Sequence, residues 1–182
     1  RGEMIVDQAC RDTLGLVRAD RGADPASADG DPALDLPGGT PGQIHSVVLG
    51  GGCFWCTEAV FQRIRGVWRV ESGYCNGLHA NRPSYEQVCR GDTGFNEVVQ
   101  VAYDPQHIGL ARLLDVFFAI HDPTSLNRQG HDVGTQYRSG VYPSSPADLA
   151  LVQAYLEDLR ASQVFDQPIV TEVLPLTHYW PA

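Results

Sequence analysis

The chain contains no lysine: its 13 basic residues are all arginine, against 22 acidic ones, for a formal net charge of −9. No basic run interrupts that acidic balance, which argues against a nucleic-acid or anionic-membrane partner. No apolar stretch approaches the roughly 20 residues that cross a bilayer, and no charged, apolar, small-residue signal opens the sequence. There is also no secreted disulfide framework. Five cysteines is an odd number, and their spacing points instead to a reducing cytoplasm.

What is present fits one domain: 182 residues, 43% hydrophobic and 19% charged, enough to bury a substantial core. Residues 1–43 read as an N-terminal extension. Ile5, Ala9 and Leu16 allow a short amphipathic helix from Met4 to Ala19, in which Cys10 is a spectator thiol. From Asp20 to Gln43 the chain is rich in Asp, Pro, Gly and Ala and poor in large apolar residues, which makes a linker or irregular arm. The catalytic domain is expected over residues 44–182.

That domain is organised around Ser46-Val47-Val48-Leu49-Gly50-Gly51-Gly52-Cys53-Phe54-Trp55-Cys56. The apolar run predicts a buried strand and the glycines a tight turn. Thr57 to Ile64 predicts a helix, with Val60 and Ile64 as an i, i+4 pair ended by Gly66. Cys53 then lies near a helix N-terminus, where unpaired N–H groups and the macrodipole favour the thiolate. A core cysteine, or Cys53-x-x-Cys56 as half of a zinc site, would explain the sulfur alone. Neither accounts for the glycines and aromatics around it.

Further along, Val67 to Tyr74 alternates as a strand that leaves by the turn Cys75-Asn76-Gly77. Ser84 and Gln87 form a capping box for a short helix through Cys89, with Tyr85 in its first turn and Cys89 read as core. In Asn96 to Tyr103, period-two alternation puts Glu97 on the apolar face with Val99, Val101 and Tyr103. Buried there, its carboxyl would keep its proton near neutral pH; at the strand's start it could instead reach solvent or pair with an arginine. Leu110, Leu113, Leu114 and Phe117 predict a core-facing helix ended at His121-Asp122-Pro123, its histidine favoured by the helix dipole. The polar stretch from Thr124 to Ser139 has the density of hydrogen-bonding groups found in site-building loops. A strand from Ser139 to Tyr142, a helix capped by Ser145 and a last strand from Ile169 to Leu174 complete the pattern. Alternating strands and helices predict an α/β or α+β fold with a mixed sheet covered by helices.

Several blocks resemble the A-type peptide methionine sulfoxide reductases. They are Gly51-Gly52-Cys53-Phe54-Trp55, Pro83-Ser84-Tyr85-Glu86-Gln87-Val88-Cys89, Gly91-Asp92-Thr93-Gly94 with Glu97, Ile120-His121-Asp122-Pro123-Thr124, and Asn127-Arg128-Gln129-Gly130 with Asp132 and Gly134 to Ser139. The resemblance implies a two-layer α/β sandwich with a mixed sheet and a ferredoxin-like core. It implies Cys53 as nucleophile, Glu97, Tyr85 and Tyr137 as oxygen-binding and proton-donating groups, Asp132 as a substrate-holding acid, and Phe54 and Trp55 as aromatic walls for the substrate's methyl group. The substrate would be methionine-S-sulfoxide, free or in proteins, reduced through a Cys53 sulfenic acid. Cys56 is the natural second thiol for the resulting disulfide, and thioredoxin its reductant. No metal or cofactor is called for, and a cytoplasmic monomer engaged in protein repair under oxidative stress is expected.

The family usually has histidine where Phe95 stands and two glycines where Asn76-Gly77 stands. It also continues beyond His178-Tyr179-Trp180-Pro181-Ala182 into an acidic residue followed by Tyr-His-Gln, a tail that helps shape the site. Two readings of other classes compete. A zinc module of Cys53, Cys56, Cys75 and Cys89 lacks a second tight knuckle, and a thioredoxin-like oxidoreductase leaves Tyr85, Glu97 and Tyr137 unexplained.

Overall fold

The computed structural model describes residues 44–182; the helix expected over Met4 to Ala19, Cys10 and the arm to Gln43 lie outside the described residues. The β-branched run before the glycines forms strand β1 (His45–Gly50), and Cys53 caps helix α1 (Phe54–Phe61). The helix thus lies three residues earlier than expected at each end. It begins as soon as the glycine turn ends, and it closes in tight turns in which Arg63 N–H donates to the Val60 carbonyl and Ile64 N–H to that of Phe61.

Strand β2 (Val67–Cys75) carries a register shift between Val67 and Arg69. The capping box then forms as expected: Ser84 Oγ accepts from Gln87 N–H, Gln87 Oε1 accepts from Ser84 N–H, and helix α2 (Tyr85–Cys89) follows. Strand β3 (Asn96–Tyr103) matches its expected bounds. Helix α3 (Leu110–Ile120) buries Leu110, Leu113, Leu114 and Phe117, the residues its spacing singled out. The polar stretch after it folds into a ribbon of β4 (Arg128–Gln129) and β5 (Asp132–Val133), then a 3₁₀ turn (Thr135–Tyr137). Strand β6 (Gly140–Tyr142) leads to helix α4 (Pro146–Ser162), whose N-cap Ser145 accepts from Asp148 N–H.

The strand expected from Ile169 to Leu174 is reduced to β7 (Glu172–Val173). Val170 N–H turns away to the Pro123 carbonyl, and prolines at 168 and 175 supply no donor for a longer ladder. A strand absent from the sequence reading, β8 (Tyr179–Pro181), pairs with the outer edge of β2.

The main sheet runs β7-β6-β1-β3-β2-β8 and is mixed: β6 and β7 are parallel and the other pairs antiparallel. Period-two alternation divides its residues between two faces. Val47, Leu49, Val99, Val101 and Tyr103 join side chains of α1, α3 and α4 in the principal core. Val48, Val98, Cys75 and Tyr142 form a smaller cluster under Leu176 and Tyr179. Among the described residues no helix is long and apolar enough to cross a membrane. Because β1 and β3 are neighbours, the turn leaving β1 and the beginning of β3 open at the same end of the sheet, and the candidate residues gather there.

Candidate active site

Cys53 is placed by the turn before it. Gly52 adopts φ +94°, and a Cβ there would meet the Gln129 side chain at 2.7 Å, so only glycine fits without strain. Gln129 is itself clamped to main chain, its Oε1 accepting from Asp122 N–H and its Nε2 donating to the Asp122 carbonyl. The next residue, Cys53, is the N-cap of α1 and is partly buried. Its pKa is lowered to about 6, first by a hydrogen bond from the Cys56 thiol. The Trp55 and Cys56 amides add to this, against partial burial and the charge of Asp132. The helix N-terminus contributes as expected, but the neighbouring thiol contributes more.

Glu97 lies on the apolar face of β3, only 3% exposed. Burial raises its carboxyl to about 7, helped by the charges of Cys53 and Asp132 and opposed by the Phe54 amide. That amide donates to Glu97 Oε2 at 3.4 Å. The residue after Cys53 is therefore bonded to Glu97, which is shut off from solvent and pairs with no arginine among the described residues.

Around this pair stand the phenols. Tyr137, in the 3₁₀ turn, is pushed up to about 12 by burial and then by Glu97 and Asp132. Tyr85 opens α2 with an exposed ring; its hydroxyl is hydrogen-bonded to Cys89, its pKa is raised chiefly by that contact, and it lies within the field of Glu97 and Cys53. Both stay protonated at neutral pH and are able to donate. Asp132, exposed on β5, sits opposite Gln129 in the ribbon, and its charge acts on Cys53, Glu97 and Tyr137. The aromatic pair divides: Phe54 is buried, while Trp55 is 57% exposed with ring centroids 6.0 Å apart.

Two expectations change. Cys89 is exposed rather than core, since Val88 takes the buried position on that short helix, and its thiol meets the Tyr85 hydroxyl. His121 does close α3, but uncharged: burial lowers it to about 4, with Nδ1–H donating to the Phe117 carbonyl and Nε2 accepting from Ser139 Oγ at 2.7 Å. The dipole therefore has no imidazolium to favour. Cys75 belongs to the opposite sheet face, where burial drives its pKa far upward, so it cannot join Cys53 and Cys56.

Sequence reasoning missed Tyr74 and Gln129. Tyr74 pairs directly across from Glu97, packs its ring at a tilt against Phe54 with centroids 5.7 Å apart and is 3% exposed. The alternation of β2 was the available signal; Gln129 stood only within the Asn127-Arg128-Gln129-Gly130 block, where nothing marked it as the residue that fills the space beside Gly52. Taken together, a thiolate, a neutral carboxylic acid and neutral phenols lie within one another's electrostatic reach, a set suited to attack on an electrophilic atom whose oxygen must be protonated as it leaves.

Comparison with known proteins gives a consistent picture. Residues 45–182 match the family described as peptide methionine sulfoxide reductase. The peptide methionine sulfoxide reductase MsrA of Chromobacterium violaceum is 52% identical over 139 residues, 76% of this chain and 78% of the relative. That of Ralstonia nicotianae is 56% identical over 131 residues, 72% and 68% of the two. Among solved structures, reduced Mxr1 of Saccharomyces cerevisiae superposes with a TM-score of 0.73 at 38% identity, covering 79% of this chain and 82% of that one. Mxr1 in complex with Trx2 gives 0.59 at 28% identity, covering 79% and 84%.

Proposed function

The chain belongs to the peptide methionine sulfoxide reductase family and is a methionine-sulfoxide-reducing enzyme, and from that premise we propose how its residues divide the work. The Cys53 thiolate attacks the sulfoxide sulfur while Glu97 gives its proton to the oxygen, with Tyr85 and Tyr137 hydrogen-bonded to that oxygen. Oxide is a very poor leaving group, so a neutral acid and neutral donors are required. The oxygen passes to Cys53 as a sulfenic acid: methionine sulfur is reduced by two electrons and the cysteine sulfur oxidised by two. Phe54 and Trp55 flank the methyl group, and Asp132 at the mouth holds the remainder of the substrate.

Cys56 then attacks the sulfenic acid, releasing water and closing a disulfide with Cys53, which a thioredoxin-type dithiol reduces by exchange. Support comes from the hydrogen bond between the two thiols and from the existence of an Mxr1 complex with Trx2. Specificity for the S epimer, free or in proteins, follows the likeness to A-type enzymes. In this reading residues 44–182 are the catalytic domain, preceded by an extension over 1–43, and the enzyme acts as a cytoplasmic monomer.

The observation that carries the assignment is the joining of a thiol lowered to about 6 and a carboxyl raised to about 7 through the Phe54 amide. The test is methionine formation from separated S and R sulfoxides with dithiothreitol, on wild type and Cys53→Ser. Turnover of the S epimer alone, lost in the variant, is expected. Reduction of the R epimer would refute the stereochemistry, and turnover surviving in Cys53→Ser would refute the nucleophile.

A further inference from the structure

Tyr85, Glu97 and Tyr137 come from three segments that share no regular structure: α2, the beginning of β3 and the 3₁₀ turn. Donors that converge on one oxygen act in the transition state only if their spacing is held, and the structure ties all three segments to one short stretch. Thr135 Oγ1 donates to the Gly91 carbonyl at 3.1 Å and Gln136 Nε2 to the Cys89 carbonyl at 3.3 Å, fixing the end of α2. Arg138 does the rest. Its Nη1 donates to the Thr135 carbonyl at 2.9 Å, its Nη2 to the Gly94 carbonyl at 3.1 Å and its Nε to Glu172 Oε2 at 3.0 Å. Its own carbonyl accepts from Asn96 Nδ2 at 3.1 Å, next to Glu97.

We propose that Arg138, assisted by Thr135, is a positioning residue for sulfoxide reduction: it locks the turn bearing Tyr137 to the entrance of β3 bearing Glu97, while Thr135 locks that turn to the helix bearing Tyr85. The inference rests on the assignment of those three residues as the oxygen-handling groups. Arginine suits the task because its planar fork presents donors in three directions at once, whereas an ammonium is a single point on a flexible stem. The side chain is only 16% exposed, and its ion pair with Glu172, which also accepts from the Tyr142 hydroxyl at 2.7 Å, anchors the fork to β6 and β7. None of these bonds touches Cys53, so its alkylation is expected to be insensitive to them.

The experiment measures single-turnover methionine formation and the rate of Cys53 alkylation in Arg138→Lys, Tyr137→Phe and the double variant. Arg138→Lys keeps the charge facing Glu172 but loses the fork. It is expected to slow methionine formation about tenfold, as a small misplacement of reacting groups does, and to leave alkylation at the wild-type rate. If Arg138 acts through Tyr137, the double variant is no slower than Tyr137→Phe alone, because contacting residues of one unit are not additive. Losses that multiply, or an unaltered rate in Arg138→Lys, would overturn the inference while leaving the donor assignment standing. Wild-type turnover in Tyr137→Phe would overturn that assignment and this inference with it. Should Arg138→Lys fail to fold, Thr135→Val paired with Tyr85→Phe reads the same coupling at the other junction: a double variant no slower than Tyr85→Phe supports the lock, and multiplied losses refute it.

Discussion

Cys53 carries its thiolate above about pH 6 and Glu97 keeps its proton below about pH 7. The productive form, thiolate with neutral acid, is therefore most populated between those values. The single-turnover rate should trace a bell with limbs near pH 6 and 7. Glu97→Gln should lower it by about 10²–10⁴, the range of a general acid, and remove the alkaline limb while the acid limb remains; an alkaline limb retained in the variant would assign it to another group. The same carboxyl has a thermodynamic signature. Its folded pKa is raised, so the folded state holds the proton more tightly than the unfolded chain, and stability falls as pH rises from the ordinary carboxylate range through about 7. Thermal melts at pH 5 and pH 8 should show Glu97→Gln gaining on wild type at the higher pH. The influence of Cys56 on Cys53 can be separated from its proposed resolving role in the same way: Cys56→Ala removes the largest influence lowering Cys53, and the midpoint of Cys53 alkylation against pH should rise.

At the scale of elements, strands and helices with strong periodicity were legible, and those defined by distant partners were not. β3 keeps its expected bounds, and α3 buries the four residues its spacing singled out together with Phe118. β8 escaped because Tyr179-Trp180-Pro181 has no alternation of its own; it is a strand because β2 offers an open edge. The site divides likewise. The candidate chemistry of Cys53 and Glu97 follows from a local turn and a local alternation, whereas Tyr85, Tyr137 and Asp132 were named only by family likeness, since nothing nearby in sequence marks their convergence. The bonds from Thr135, Gln136 and Arg138 were illegible because their acceptors are largely main-chain carbonyls, which any residue supplies. The glycine turn into α1 can be tested as an element. Gly52→Ala forces a Cβ at φ +94° against Gln129, which should cost about 1–3 kcal/mol in stability and slow Cys53 alkylation as the cap shifts. A melting temperature and alkylation rate equal to wild type would show the turn to be more adaptable than its packing indicates.

For the molecule as a whole, the sheet has helices on one face and its C-terminal segment on the other. Asn76 binds that segment from several sides: its Oδ1 accepts from the Thr177 amide and hydroxyl, its Nδ2 donates to the Pro175 carbonyl, and its own N–H donates to the His178 carbonyl. Leu176 and Tyr179 thereby cover Cys75. In native protein Cys75 should be silent to a thiol reagent, and deleting residues 175–182 should add one reactive thiol to the titration; an unchanged count would mean that other groups shield it. The arrangement also sets an order of events at birth. Asn76 and Thr177 lie 101 residues apart, so on a ribosome the cover follows its thiol by on the order of 10 s. Over that interval Cys75 lacks the cover that Leu176 and Tyr179 give it in the folded protein.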